Sequence, residues 1–564
     1  MRRSASAALA VAVLMAAGSR AGDRPEGRPF AMRSVVHARH GMVAAAHPLA
    51  VQIGVDVLKK GGSAVDAAVA VNAALGVMEP MSCGIGGDLF AIVWDAKSQR
   101  LYGLNASGRS PAALTADKVP PDANGTIPHT SVYTWTVPGA VDGWFELHTR
   151  FGKLPMADLL APSIAAARDG VPVPQIIAAM WRLGEGRHRD TPGFAATYLP
   201  GARAPGEGEV FRNPSLAAAY DAIARGGRGA YYEGGIARDI VEFSKAHGGY
   251  LASEDFARQR SDWVDPVSTD YRGVRVFELP PNTQGIAALE MLNILEGFDL
   301  KSMGRDSPEF WHTMVEAKKL AYEDRARYIA DPAFAKVPVE GLLAKDYART
   351  RARLIDPVRA ADRYEAGQPA LNHGDTTYLA VADGEGNMVS LIQSNYSNFG
   401  SGYAVDGFVL HNRGSAFDLR PGRPNSLLPG KRPFHTIIPA FAMRGGQPWM
   451  AFGLMGGDMQ AQGHAQVIVN LVDFGMNLQE AGDAPRFYHT ESSEPDGTVM
   501  TKGGILQLES GVSADVRREL VKRGHRIVDT VGLFGGYEAV ARDPVTGVLS
   551  GATESRKDGC ALGY

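Results

Sequence analysis

Cysteine is almost absent. Cys83 and Cys560 are the only two in 564 residues, which excludes a disulfide framework, although two cysteines in an exported chain could still form one bridge. No His/Cys cluster has the spacing of zinc ligands. Excess charge is scarce as well: the formal net charge is −3 with 21% charged residues, so there is no broad basic surface of the kind nucleic acids require. Long hydrophobic runs are missing beyond the first 21 residues, which excludes a later membrane-spanning helix.

What the chain does have is glycine, 66 residues of it, spread through the sequence as tight turns and close backbone approaches rather than as low complexity. It begins "MRRSASAALAVAVLMAAGSRA". Arg2 and Arg3 precede a short apolar core, and Ser19-x-Ala21 gives a small-residue cleavage pattern, so residues 1–21 read as a secretory signal and the mature protein as periplasmic or secreted. Ala and Val recur at helical spacing over 41–79, interrupted by Gly61-Gly62, which predicts a buried helix pair. "LFAIVWDAKSQRLYGLNAS" reads as a hairpin. Residues 155–330 read as mainly helical, with Ser307 as a cap for the run that follows it. A charged stretch over 345–375 reads as helix passing into an extended, mobile segment. Strands are expected at 376–382, 387–394, 436–443, 449–453 and 538–542, and helices at 460–475 and 513–523. Interleaving of this kind favours a layered α/β body.

The stretch "NHGDTTYLAVADGEGNMVS" places Asp375, Thr376 and Thr377 at the start of a strand. A threonine hydroxyl is a poor nucleophile unless a base accompanies it, and an N-terminal threonine carries its own base, the α-amine. That amine titrates near pH ~7.7–8.0, so a useful fraction is neutral at physiological pH. Creating such a terminus requires the Thr376 hydroxyl to attack the Asp375 carbonyl, and hydrolysis of the resulting ester would split the chain into residues 22–375 and 376–564. Taken alone, "TTYLAV" is also good plain strand sequence, and that is the stronger reading of the stretch by itself.

The wider context changes the balance. "GGSAVDAAVAV", "GIGGDLF", "VPGAVDGWFELHTRFGKLPMADLLAPSIAAARDGVPV", "DYRGVRVFELPPNTQG", "GDTTYLAVADGEGNMVS", "KRPFHTIIPA", "GLMGGD" and the C-terminal "DG…GY" occur in one order. In that order the chain resembles the γ-glutamyltransferase family of N-terminal-nucleophile hydrolases over nearly its full mature length. The resemblance implies a four-layer αββα sandwich built from both cleavage products, with no metal or organic cofactor. It implies Thr376 as nucleophile, freed by cleavage after Asp375. Gly456 and Gly457 become backbone donors to an oxyanion, Ser394 a hydroxyl beside the nucleophile, and Thr377 an orienting group for the new terminus. The implied partners are a small-molecule amide, such as a γ-glutamyl or dicarboxylate monoamide, and water or an amine acceptor.

The chain departs from the family's γ-glutamyl-transferring members at the acyl pocket. Ser107 stands where their carboxylate-binding arginine would fall, with Arg109 two residues on as a substitute or a solvated surface charge. His435 and Thr436 replace paired serines, Arg413 replaces an amide, Ala416 replaces an acid and Tyr396 replaces an asparagine. Losing the acid removes the partner of a substrate ammonium, and gaining Arg413 favours an anion. These forms resemble the cephalosporin-acylase-like and oxamate-amidase-like branch. Competing readings are γ-glutamyl transfer from glutathione, with Arg109 or Arg413 holding the carboxylate; an uncleaved, silent binding protein of the same fold; and, with little support, a phosphate loop at "GIGGD", which lacks the GxxxxGK[ST] pattern.

Overall fold

The computed structural model describes residues 32–368, 379–529, 531 and 534–564. The expected leader over 1–21 and the residues around the expected cleavage point, including Asp375, Thr376 and Thr377, lie outside this set.

Two seven-stranded antiparallel sheets form the centre. Numbering only their strands, the chain gives β1 (Val36–Ala38), β2 (Gly41–Ala45), β3 (Asp88–Asp95), β4 (Arg100–Ala106), β5 (Asp262–Val264), β6 (Val267–Tyr271) and β7 (Val274–Glu278). After the undescribed segment come β8 (Leu379–Asp383), β9 (Met388–Ser394), β10 (Ala440–Arg444), β11 (Gln447–Leu454), β12 (Tyr537–Arg542), β13 (Leu549–Thr553) and β14 (Cys560–Gly563). The first sheet runs β14-β2-β8-β9-β3-β4-β5 and the second β1-β13-β12-β11-β10-β7-β6.

Side-chain alternation assigns the layers. On β8, Ala380 and Ala382 join Phe90, Ile92 and Met388 in a thin apolar layer between the sheets, opposite Phe441, Ala451 and Val540. Leu379 and Val381 point the other way, onto helices α1 (Pro48–Lys59) and α2 (Ala64–Met78). The outer face of the second sheet, with Val276, Met450, Phe452 and Leu454, packs on α3 (Gly285–Leu295), α4 (Pro308–Tyr328) and α5 (Met459–Val472). The expected αββα sandwich is therefore present.

The α2 helix is buried on every side, which its run of small residues allows. It starts with a reciprocal cap: Ser63 Oγ accepts from Asp66 N at 3.1 Å, and Asp66 Oδ2 accepts from Ser63 N at 2.9 Å. Ser307 caps α4 as expected, accepting from Phe310 N at 3.1 Å.

Two expectations need correction. Gly41–Ala45 is not helical but a strand, pairing with β8 and β14; its place between two strands overrides the helical preference of alanine. Within the segment read as mainly helical, "SDWVDPVSTDYRGVRVFE" forms three strands, two of them joined by a tight turn at Arg272-Gly273. The possibility of a Cys83–Cys560 bridge, which the sequence left open, is answered by two free thiols. The 388–394, 447–454 and 537–542 strands and the 459–472 and 514–522 helices fall within a few residues of their expected positions. Among the described residues no helix is long and apolar enough to cross a membrane.

Packing around α2 is tight enough to test. A Cβ on Gly76 would sit 2.5 Å from the Tyr220 hydroxyl, which donates to Ala73 O. Alanine gains about 1 kcal/mol of helix propensity over glycine, but overpacking a core costs about 1–3 kcal/mol. Gly76→Ala is expected to lower stability by roughly 1 kcal/mol net on these two figures, read as a lower urea midpoint.

Candidate active site

Polar groups gather where the strand ends of both sheets share one rim. Asp88 opens β3 and faces Ser394, the last residue of β9, across the ladder. The β8 strand begins at Leu379 between β2 and β9, three residues after Thr376 in the chain. On the second sheet, β11 ends at Leu454 and leads directly into Met455-Gly456-Gly457-Asp458.

Ser394 Oγ accepts from Tyr396 N at 2.7 Å. Tyr396 adopts φ +75°, an uncommon left-handed conformation for an aromatic residue, and its ring lies 4.1 Å from the Arg413 guanidinium, within cation–π range. Arg413 is fully buried on a short 3₁₀ turn and donates to Thr436 Oγ1 at 2.9 Å. His435, one residue before Thr436, hydrogen-bonds Asp88 Oδ2 through Nε2 at 2.7 Å and meets the Phe90 ring edge-on. The other Asp88 oxygen accepts from Gly108 N at 2.9 Å.

Asp88 is the electrostatic counterweight of this buried cluster. Burial pushes its carboxyl up, but His411, the His435 hydrogen bond and Arg413 outweigh it and bring it down to about 2. Burial, reinforced by Arg413, pushes the His435 imidazole down to about 3 against the pull of Asp88. The histidine is therefore neutral. With an ionised carboxylate as partner, its hydrogen sits on Nε2 and Nδ1 is the acceptor.

The paired glycines take conformations that need glycine. Gly456 has φ +115° and Gly457 φ +58°. They lie immediately before the 14-residue helix α5, whose N-terminal end favours negative charge. Met459 N donates to Gly456 O and Gln460 N to Gly457 O, both at 3.1 Å. Just before the loop, His464 Nε2 accepts from Leu454 N at 3.1 Å, and its Nδ1–H donates to Glu278 Oε1 at 2.7 Å.

Arg109 sits apart from these groups. Its guanidinium lies 3.7 Å from each of Asp262 and Asp331 and reaches Gly430 O. Ser107 is buried, with its hydroxyl donating to Asn105 Oδ1 at 2.7 Å. Ala416 packs among Ile286 and Phe434.

Sequence reasoning missed Asp88, His411, Gln284 and Arg325. Asp88 and Gln284 stand inside quoted motifs, "GIGGD" and "PPNTQG", which carry the resemblance without giving either residue a role. Arg325 had a signal of its own: the charged residues of "KKLAYEDR" lie on a helix whose apolar spacing buries most of its circumference.

Among the described residues, His312, Glu316 and His525 bring possible metal-ligand atoms within 4.8 Å of one another. Their polar atoms already serve other groups. His312 Nδ1 and His525 Nε2 share a hydrogen bond of 2.8 Å, and Glu316 pairs with Lys319 at 2.8 Å while accepting from Tyr364 and Ala361 N. A dication would have to displace that ammonium, so the trio reads as an anchor for the 356–364 segment.

Four layers with a polar rim define the N-terminal-nucleophile hydrolase architecture. Residues 50–564 match the Gamma-glutamyltranspeptidase family. The glutathione hydrolase-like YwrD proenzyme of Bacillus subtilis (strain 168) is 37% identical over 540 residues, covering 94% of this chain and 99% of that protein. The acylase ACY 1 proenzyme of Pseudomonas sp. (strain SE83) is 37% identical over 533 residues, 92% of each. The crystal structure of cephalosporin acylase from Bacillus halodurans superposes with a TM-score of 0.87 at 44% identity, covering 96% of this chain and 99% of that one. The chain belongs to the gamma-glutamyltranspeptidase family and is an enzyme of the amide- and acyl-processing kind.

Burial holds several imidazoles neutral: His188 down to about 4, His435 and His464 to about 3, and His525 to about 2. Unfolded histidines titrate near pH ~6.5. Below that pH the unfolded chain binds protons that the folded chain does not, so stability falls as pH drops from about 6.5 towards 4, by up to about 1.4 kcal/mol per pH unit for each histidine kept neutral. Asp88 adds to the loss only at lower pH, between about 3.9 and its folded value. Urea midpoints at pH 7.5 and 5.5 are expected to show a markedly lower value at 5.5.

Proposed function

We propose that this chain is a self-cleaving acylase of the cephalosporin- or glutaryl-acylase type, whose acyl group ends in a carboxylate rather than an α-amino acid. The observation that carries the reading is the buried Arg413, set beneath Tyr396 and bonded to Thr436, with the apolar Ala416 in place of an acid. A substrate carboxylate finds a guanidinium there, while a substrate ammonium at residue 416 would be buried beside an alanine, which is costly. The relatives described as acylases, at 37% and 44% identity, support the same branch.

The cycle starts with cleavage between Asp375 and Thr376, giving chains 22–375 and 376–564. The Thr376 α-amine takes the hydroxyl proton as the oxygen attacks the amide carbonyl. Gly456 and Gly457 N–H groups receive the oxyanion, an arrangement in which one donor typically contributes about 2.7–4 kcal/mol. The C–N bond breaks, the amine leaves with the proton, and an acyl ester remains on Thr376. Water, activated by the same amine, attacks the ester and releases the acid and the free hydroxyl; an amine acceptor can take the acyl group instead. Ser394 and Thr377 orient the hydroxyl and the terminal amine, and Arg413, Tyr396, His435 and Thr436 line the acyl pocket. The leader directs the protein to the periplasm or outside the cell.

Two measurements test this. On a denaturing gel the wild-type protein is expected to give two bands, with Thr at the N-terminus of the smaller one, and Thr376→Ala a single inactive band; normal processing of that variant would place the nucleophile elsewhere. Glutaryl p-nitroanilide is expected to be hydrolysed at least about tenfold faster than γ-glutamyl p-nitroanilide, a difference worth about 1.4 kcal/mol. The reverse order would return the chain to γ-glutamyl transfer.

A further inference from the structure

Two adjacent glycines give the Gly456–Asp458 loop its shape but not its rigidity, because glycine is the residue with the most backbone freedom to lose. Donors aimed at an oxyanion act through preorganisation, so something outside the loop must hold its peptide planes. The structure shows what does.

Gln284, in the turn between β7 and α3, is fully buried and uses both ends of its amide. Its Nε2 donates to Thr436 O at 2.7 Å and to Gly457 O at 3.2 Å. Its Oε1 accepts from Arg325 Nη1 at 2.5 Å. The same Arg325 nitrogen donates to Asp458 Oδ1 at 2.6 Å, and Nη2 pairs with Glu494. Arg325 lies over the Tyr322 ring, 3.9 Å from its centroid, and the Tyr322 hydroxyl donates to Asp458 O. Gln462 Nε2 donates to the same carbonyl at 3.0 Å. Each end of the amide therefore has a partner of the required sense, two carbonyls for the N–H₂ and a guanidinium for the oxygen. Thr436 also accepts the Arg413 hydrogen bond, so a single side chain ties the glycine loop to the wall that carries the acyl-pocket arginine.

We propose that Gln284 is a positioning residue: backed by Arg325, it fixes the Gly456–Asp458 loop against the Thr436 wall, so that binding the acyl carboxylate and aiming the oxyanion donors are set by one rigid unit. This role rests on the reading of Gly456 and Gly457 as oxyanion donors. Gln284 touches no reacting atom, and its loss acts on kcat through the loop.

The test uses the self-processed full chain with glutaryl p-nitroanilide, and rates are taken per acylated site from the burst of released amine. Gln284→Glu keeps the length and the bond to Arg325 but sets an acceptor against both carbonyls, and Gln284→Met keeps the shape with neither bond. Misplacement of about 1 Å costs on the order of 10²-fold, so both variants are expected to lose about that factor in kcat with KM within about threefold. Tyr322→Phe removes one hydroxyl from the same loop and is expected to lose severalfold in kcat; it gives a reading even where a Gln284 variant fails to fold. A merely structural role would lower the melting temperature and leave kcat per titrated site unchanged; that result, with all variants within about twofold of wild type, overturns the proposal and leaves the acylase reading standing. A wild-type protein that processes itself yet releases amine from neither glutaryl nor γ-glutamyl p-nitroanilide overturns both.

Discussion

The layer between the two sheets governs everything else in this molecule. It is thin because it is built from Ala44, Ala380, Ala382 and Ala451 around a few large side chains such as Phe90, Phe441 and Met388. Both outer faces are in turn consumed by helices. The central strands β2, β8 and β9 have no solvated face on which to display chemistry. The polar groups of the site sit where strands stop, and the antiparallel pairing aligns those stops: Asp88 with Ser394, and Leu454 with Tyr537. The site lies at a rim because the interior accepts almost nothing polar without a partner.

The charges admitted at that rim occur in compensated sets. Asp88 faces His435, His411 and Arg413, while Arg325 is held between Asp458 and Glu494. Removing one member of a buried pair leaves an uncompensated charge, typically costing 3–5 kcal/mol, so neither set tolerates piecemeal change. The two sets also differ in what they leave for chemistry. The first keeps an imidazole neutral beside a buried guanidinium. The second spends its guanidinium on backbone and side-chain geometry.

Much of this was legible in the residues, and the exceptions have physical causes. The 88–106 hairpin, the Ser307 cap and the β8–β9 pair follow from alternation and local capping, which are properties of short windows. The strand at Gly41–Ala45 does not, because its alanines carry helical preference and only the distant pairing with Ala380 and Cys560 decides the outcome. At the site, Tyr396, Arg413, His435 and Thr436 stand out as changes of chemical type within motifs, and the structure brings them together. Asp88 was hidden because an acid after two glycines looks like a turn until His435, 347 positions away, is seen against it. Gln284 was hidden for the same reason: an amide declares its role only when both of its partners are known.

The interlacing of the first sheet has a consequence for any molecule cut between Gln368 and Leu379. Across that sheet, strands from before residue 368 and from residue 379 onward do not segregate: β14 lies outside β2, β8 and β9 are inserted between β2 and β3, and β4 and β5 follow. The same holds at the edge of the second sheet, where β1 pairs with β13. Neither piece possesses a complete sheet of its own. Parting them would mean stripping whole ladders rather than opening an interface, so the nicked form would behave as one cooperative body, indifferent to dilution and closed to exchange of pieces between molecules.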